Sequence, residues 1–447
     1  MRVAVVGSGA CGLAFAKNLL PLTPHVTLFE ACAQAGGVWR YRDPRKGEGE
    51  GPMYRSLRTN LPAPLMAFRD HPFPGAGKGS SFPTHEEVQG YLLSYRDAFE
   101  LQPLTRAGTT VTDVAFSTEP SCFPSLPAVA VTSATASSPP TTELFDLCVI
   151  ATGHYAVPSI PPSLLPLAAK FPGSFHSVRY DGPAPLAGRT VLIVGGRASG
   201  SDIAREISPH ARKVYVSDPT PPAVDPANPP PGNVRSVGRT EGLAAGGGVA
   251  VAGGPPLPDV DLCIFATGYD YDFPFLSPAV LSAPRGDRRV APLYKQLWHA
   301  TRPNLVLGGL PHSVVPFPLF EMQARAVGRC AGEGFRNLPG GGEREAEAGR
   351  DREGNGGGGG GSASGKRARG RVQDSHFLGD GQWAYLRELA EIAGEAGEGL
   401  EKYLESSRGM YEHAGAQRKK VPMGGKDDYR EVVYEREHGG DWEWSHH

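Results

Sequence analysis

The sequence predicts an α/β protein made of two doubly wound, Rossmann-like dinucleotide-binding domains, one inserted in the other. Three observations predict it. A glycine turn joins strand to helix at the start of the chain, a second such turn lies near residue 195, and two later strands each run into Ala-Thr-Gly.

Met1–Val6 is apolar and β-branched, Gly7–Gly12 is a glycine turn, Leu13–Leu20 has helical character, and Val26–Glu30 reads as a second strand. The same order recurs in Arg189–Val194, Gly195–Gly200, Ser201–Ile207 and Lys213–Ser217. Phe145–Gly153 and Asp261–Gly268 are the two strands that end in Ala-Thr-Gly, a small-residue turn that lets backbone pass close to a flat ligand or a neighbouring strand. Between Gly340 and Gly370 the composition turns Gly-, Glu- and Arg-rich, and too little apolar surface is available to order it, so a flexible insertion is expected there. Trp383–Ala396 and Gly399–Tyr411 read as helices, and the polar tail beyond Lys419 as loosely held.

A chain of 447 residues exceeds the usual size of one core, so two domains are expected. Its net charge of -2 provides no general attraction for nucleic acid or an anionic membrane, which points to a small-molecule partner. No apolar run reaches the ~18–20 residues of a transmembrane helix, and MRVAVVGSG reads as a strand entering a turn rather than a signal peptide. A cytoplasmic protein follows. The six cysteines have no CxxC or CxxH spacing, so reduced, buried thiols are expected rather than disulfides or a metal site.

Gly7-Ser8-Gly9-Ala10-Cys11-Gly12 carries the first chemistry. Gly7 permits the tight turn, Gly9 lets backbone approach a pyrophosphate, and Gly12 lets helix pack on strand, with helix N–H groups facing the anion. Glu30 stands 18 residues after Gly12, where a carboxylate accepts from a ribose 2′-hydroxyl. An adenosine diphosphate group is therefore expected here. Gly36-Gly37-Val38-Trp39, as a bare string, is an ordinary turn followed by a core Trp.

From Met1 to about Leu338 the ordered motifs resemble the flavin-containing monooxygenases, most closely the plant-type S-oxygenating branch. The resemblance rests on the first fingerprint with Glu30, on Gly36-Gly37-Val38-Trp39, and on MYRSLRTNLPAPLMAFRDHPFP from Met53 to Pro74. It continues through Ala151-Thr152-Gly153-His154-Tyr155, FPGSFHSVRY from Phe171 to Tyr180, SGSDIA from Ser199 to Ala204, FATGYDYDFPF from Phe265 to Phe275, and VVPFPLFEMQ from Val314 to Gln323.

The resemblance implies that the first fingerprint binds FAD and the second NADPH. Hydride reduces the flavin, O2 adds to make a C4a-hydroperoxyflavin, and that species oxygenates a soft sulfur or nitrogen nucleophile in a water-excluded site. Asn60 matches the asparagine beside the flavin ring, where a neutral amide can hydrogen-bond without supplying an acidic proton; on composition alone it caps a turn before Pro62. The implied cofactor-binding set is Gly7, Gly9, Gly12, Glu30, Gly37, Val38, Trp39, Thr59, Asn60, Val111, Thr152 and Gly153, with Gly195, Arg197, Ser199, Gly200, Asp218, Thr267 and Gly268 around the nicotinamide cofactor. Pro62–Pro74 and Val314–Gln323 are expected to roof or line the active-site cleft.

Three departures from the family pattern matter. The Phe171–Tyr180 motif is one residue short between Gly173 and His176 and ends in Tyr180 rather than Trp, which argues against the Baeyer–Villiger relatives; His176 is expected to position a hinge or cofactor. Arg197 stands where the second pyrophosphate-facing Gly belongs, and either offers its guanidinium to a phosphate or points to solvent and weakens the site. Asp218, 18 residues after Gly200, accepts from a 2′-hydroxyl but repels a 2′-phosphate, and Pro219 follows it where the family usually has Arg. NADPH with weak discrimination against NADH is expected, with Arg197, Arg212 or Lys213 as the substitute cation.

The expected division is an FAD domain over 1–156 and 285–447 and a nicotinamide domain over 157–284, with the active site in the cleft between them. The rival readings are an NAD(P)H oxidase or reductase, and a non-catalytic redox-sensing flavoprotein.

Overall fold

The computed structural model describes residues 1–74, 81–221, 224–353, 374–436 and 441–446. Val3–Val6 pairs in parallel with Val26–Glu30 on one side and Leu147–Ile150 on the other. Among the described residues the full sheet runs Leu293–Tyr294, Trp298–His299, Leu305–Leu307, Leu147–Ile150, Val3–Val6, Val26–Glu30, Thr105–Ala107. Its first two strands join antiparallel and the rest are parallel.

The central strands read as continuous apolar runs because both faces are covered. Val3, Val5, Leu147 and Val149 share a cluster with helices Ala10–Leu19 and Pro316–Gly332. Ala4, Val6, Cys148 and Ile150 share another with the antiparallel strands Thr109–Pro120, Pro127–Thr135 and Ser138–Phe145. Each fully buried Val, Leu or Ile contributes roughly 1.5–3 kcal/mol, so the alternation of side chains along these strands fixes which layer lies on which face.

The second sheet is parallel throughout, in the order Val234–Val237, Lys213–Ser217, Thr190–Val194, Leu262–Phe265, Phe175–His176. Val191 and Ile193 pack with helix Ala198–Ile207, while Leu192 and Val194 pack with the opposite layer. The chain leaves the first sheet through Val157–Pro158 and returns through Tyr269–Asp270, and these two connections pair antiparallel with each other. Beyond Asp270, residues Tyr271, Phe273, Leu276 and Leu281 join the cluster of the first sheet, so this packing begins well before Pro284.

Two sequence expectations are corrected. Gly341–Glu353, expected to lie in a flexible insertion, is a helix; Ala348 on it is buried, and the Arg344 side chain donates to the carbonyls of Ala300, at 2.8 Å, and Pro339. Average composition missed it because the few residues that dock this polar helix, Ala348, Arg344 and Glu347, which pairs with Lys295 at 3.3 Å, are outnumbered by its other charged and small residues. The remainder of the expected insertion, 354–370, lies outside the described residues.

The tail beyond Lys419 is also packed. Helix Glu398–Lys420 follows Gln382–Ala393, and Val432–Arg436 then pairs antiparallel with Trp442–His446. Tyr429, Arg430, Val432, Val433 and Tyr434 are buried. The short apolar run Val432-Val433-Tyr434 is the signal, diluted in sequence by the charges around it.

Candidate active site

Gly7 adopts φ +101°, and a Cβ there would fall 2.6 Å from the Ala151 carbonyl oxygen, so the first Ala-Thr-Gly strand end presses on the glycine turn. A Cβ on Gly12 would fall 1.8 Å from the Gly7 carbonyl oxygen, which is the close helix–strand packing expected of the third glycine. Gly9 differs: its Cβ would meet only Gly37, at 3.4 Å from Cα. Glu30 is buried at the end of its strand, where Oε2 accepts from Ser8 N (2.9 Å) and Ser8 Oγ (2.8 Å) and Oε1 accepts from Cys32 N (2.8 Å).

Gly36 and Gly37, ambiguous in sequence, belong to this turn. Gly36 N donates to Ser8 O at 3.0 Å, and Gln89 holds the preceding carbonyl of Ala35 at 2.7 Å. Val38 and Trp39 follow in the same short helical turn, and the Trp39 ring meets Phe317 edge-on with centroids 6.4 Å apart. Phe317 stacks in turn on Phe68, at 5.2 Å, so the segments expected to roof the site meet each other in the first core. Val111 is buried on the strand that follows Thr105–Ala107, the neighbour of Glu30.

The second turn repeats the first. Gly195 has φ +111°, and its Cβ would fall 2.3 Å from Ala266 O; a Cβ on Gly200 would fall 1.7 Å from Gly195 O. Asp218 sits against Gly196 as Glu30 sits against Ser8: a Cβ on Gly196 would lie 2.7 Å from Asp218 Oδ2. Its other oxygen accepts from Thr220 N at 2.8 Å. Arg197 and Ser199 are exposed, and the Arg197 guanidinium lies 5.6 Å from the centre of the Phe377 ring.

Both fingerprint helices suit a diphosphate. Ala10–Leu19 and Ala198–Ile207 each begin with no side-chain cap bond and no acidic residue in the first turn, which leaves their leading N–H groups for an anion. At Gly9 the missing side chain keeps that approach open.

Arg212 and Lys213, expected as substitute cations for a 2′-phosphate beside Asp218, lie at the far end of its strand. Lys213 begins the strand that Asp218 follows, roughly 16 Å away at ~3.3 Å per residue. Lys213 pairs with Asp259 at 2.7 Å and Arg212 with Asp261 at 3.1 Å. Sequence reasoning overlooked Arg239, an exposed residue two positions beyond Val237, whose carbonyl accepts from Asp218 N at 3.1 Å. Only strand pairing reveals that neighbourhood.

The loop Arg58–Leu61 leads into the short helix Ala63–Met66. Thr59 is buried, its Oγ1 donating to Leu61 O at 2.8 Å, and Asn60 is half-buried with no hydrogen-bond partner for its carboxamide among the described residues. Thr152 and Gly153 are exposed beyond the first strand end. Thr267 donates from Oγ1 to Ser159 O, and Gly268 O takes His176 Nε2 at 2.9 Å. Because His176 Nδ1 accepts from Val178 N at 3.2 Å, its proton is on Nε2, and burial lowers its pKa; it braces the returning connection as a neutral ring.

Beside that connection is a polar cluster the sequence did not reveal. His154, held neutral by burial with its pKa at about 4, faces Tyr271 at 5.2 Å, and His312 pairs with Asp374 at 2.9 Å. His376 is buried with its pKa at about 3, its Nε2 accepting from Val290 N at 3.0 Å.

A family model described as flavin-binding monooxygenase-like matches residues 1–223. Flavin-containing monooxygenase FMO GS-OX-like 4 of Arabidopsis thaliana is 33% identical over 347 residues, 73% of this chain and 75% of that protein. The chain belongs to the flavin-containing monooxygenases. Among solved structures, S-allyl-L-cysteine S-oxygenase from Allium sativum superposes with a TM-score of 0.79 at 28% identity, over 96% of this chain and 94% of that one. Tmm from Pelagibacter shares the fold, with a TM-score of 0.76 at 21% identity over 99% and 96%. This flavin-containing monooxygenase is thus an NADPH-dependent enzyme that uses FAD and O2 on a small-molecule substrate. Among its described residues no helix is long and apolar enough to cross a membrane.

Proposed function

We propose that the substrate is a soft sulfur or nitrogen nucleophile, with a small thioether favoured, and that the product carries one added oxygen atom on that atom. The observation that carries this reading is the likeness to an S-allyl-L-cysteine S-oxygenase along 96% of the chain. The neutral Asn60 carboxamide, which can hydrogen-bond without supplying an acidic proton, supports it.

Bound FAD, reduced by NADPH, supplies the oxygen activation. The chain's own residues bind, orient and shield. In this reading Gly7, Gly9 and Gly12 admit the FAD diphosphate to the first helix terminus, Glu30 takes the ribose, and Gly37, Val38, Trp39, Thr59, Val111, Thr152 and Gly153 border the cofactor. Gly195, Arg197, Ser199, Gly200, Asp218, Thr267 and Gly268 border the nicotinamide cofactor. Asn60 donates an amide hydrogen bond to the flavin edge and withholds an acidic proton. We place the nicotinamide unit between the paired connections at Val157 and Asp270. A reducing, cytoplasmic setting suits the six unpaired cysteines.

The test is turnover with NADPH against thioethers, tertiary amines and amino-acid derivatives, read by product mass and peroxide yield. One oxygen atom gained by a thioether in step with NADPH consumption is expected. Peroxide alone across the whole panel would return the protein to an oxidase reading.

A further inference from the structure

We infer that Arg430 is a positioning residue that couples the nicotinamide-side unit to the loop carrying Asn60. Its side chain is 5% exposed, and its guanidinium binds both units at once. Nε donates to Thr59 O at 2.7 Å and Nη2 to Arg58 O at 3.1 Å, the two carbonyls that precede Asn60. Nη2 also donates to Asp202 Oδ2 at 3.1 Å, and Nη1 to Asp427 Oδ2 at 2.5 Å.

Asp202 lies two residues beyond Gly200 on the second fingerprint helix. One turn further along the same face, Glu206 accepts from Ser56 Oγ and, at 2.8 Å, from Tyr180 OH. The helix therefore grips segment 56–59 through two carboxylates, one directly and one through Arg430. Asp202 is itself held by Arg205 at 2.5 Å.

The C-terminal segment holds Arg430 at this crossing. Ser208 Oγ donates to Gly424 O at 2.8 Å and Met423 packs on the second unit's core, whereas Tyr434 exchanges backbone hydrogen bonds with Ser81 Oγ and belongs to the first unit's core. A buried guanidinium is costly to desolvate, and each of its three nitrogens here donates to a fixed acceptor. A shift of the helix as its leading N–H groups take a diphosphate is thereby transmitted to Thr59 O and to Asn60.

This rests on the flavin reading, and the experiment separates the two. With FAD-loaded protein, amide hydrogen exchange across 58–63 is followed with and without NADP+, alongside KM, kcat and peroxide yield. In the wild type NADP+ slows exchange at 58–63 by about five-fold or more, the lower end of ordinary coupling between sites. Asp202→Ala, and Arg430→Lys should the first not fold, abolish that response and raise peroxide yield more than KM; Asp202→Glu restores both. A wild-type loop blind to NADP+, or a response unchanged in Asp202→Ala, overturns the coupling. A protein that takes up no FAD sinks the flavin reading instead.

Discussion

Glu30 closes the first glycine turn on itself by accepting both the backbone N–H and the hydroxyl of Ser8, at 2.9 and 2.8 Å. The carboxylate that takes the ribose in the proposed site thus also fixes the turn that takes the diphosphate. Gly9 lies in that turn with space where its neighbours Gly7 and Gly12 have none.

Gly9→Val should therefore fold and lose FAD, whereas Gly12→Ala should fail earlier, because its Cβ would fall 1.8 Å from Gly7 O. We expect Gly12→Ala to cost more than ~3 kcal/mol of stability. Flavin absorbance and thermal midpoints check both; a yellow Gly9→Val protein contradicts the cradle.

Asn60→Ala and Asn60→Asp should keep FAD but divert NADPH-driven turnover towards hydrogen peroxide. Product formation should fall by about a hundred-fold, the lower end of the cost of removing one preorganised donor. Coupling unchanged in both variants would make Asn60 a loop residue only.

Asp218→Ala should improve NADPH use relative to NADH by about ten-fold, equivalent to ~1.4 kcal/mol, because a carboxylate repels a 2′-phosphate. Arg239→Ala should move the preference the other way. Catalytic efficiencies for both donors decide it, and strong NADPH selectivity unmoved by either substitution would show that neither residue meets the 2′ position.

Acid should destabilise the folded protein through His154 and His376. Burial lowers their pKa values to about 4 and about 3, so below the unfolded value near 6.5 the unfolded chain binds protons that the folded chain refuses. Stability is present in full above pH ~6.5 and is lost as pH falls towards 4, on the order of 3 kcal/mol for His154. Urea midpoints between pH 7.5 and 4 measure this. His376→Gln should flatten the slope, and an equally steep slope in that variant would remove His376 from the account.

Much of the geometry of the candidate site was legible in the sequence because its motifs are local. A glycine turn, its flanking strand and helix, and an acid a fixed distance onward lie within thirty residues, and backbone sterics leave them few arrangements. The alternation of buried faces on Val3–Val6 and Leu147–Ile150 follows from their apolar runs in the same way.

What the tertiary structure decided is everything that depends on pairing across distance. Gly36 and Gly37 became part of the first turn only through Ser8 and Gly9, and Arg239 became a neighbour of Asp218 only through a strand register. Arg212 and Lys213, close to Asp218 in sequence, lie at the far end of its strand. Arg430, 370 residues from Asn60, comes to hold the Thr59 carbonyl because the C-terminal segment packs on both units. Local propensity cannot encode such contacts, since they arise when separate apolar faces are buried together and bring their polar neighbours with them.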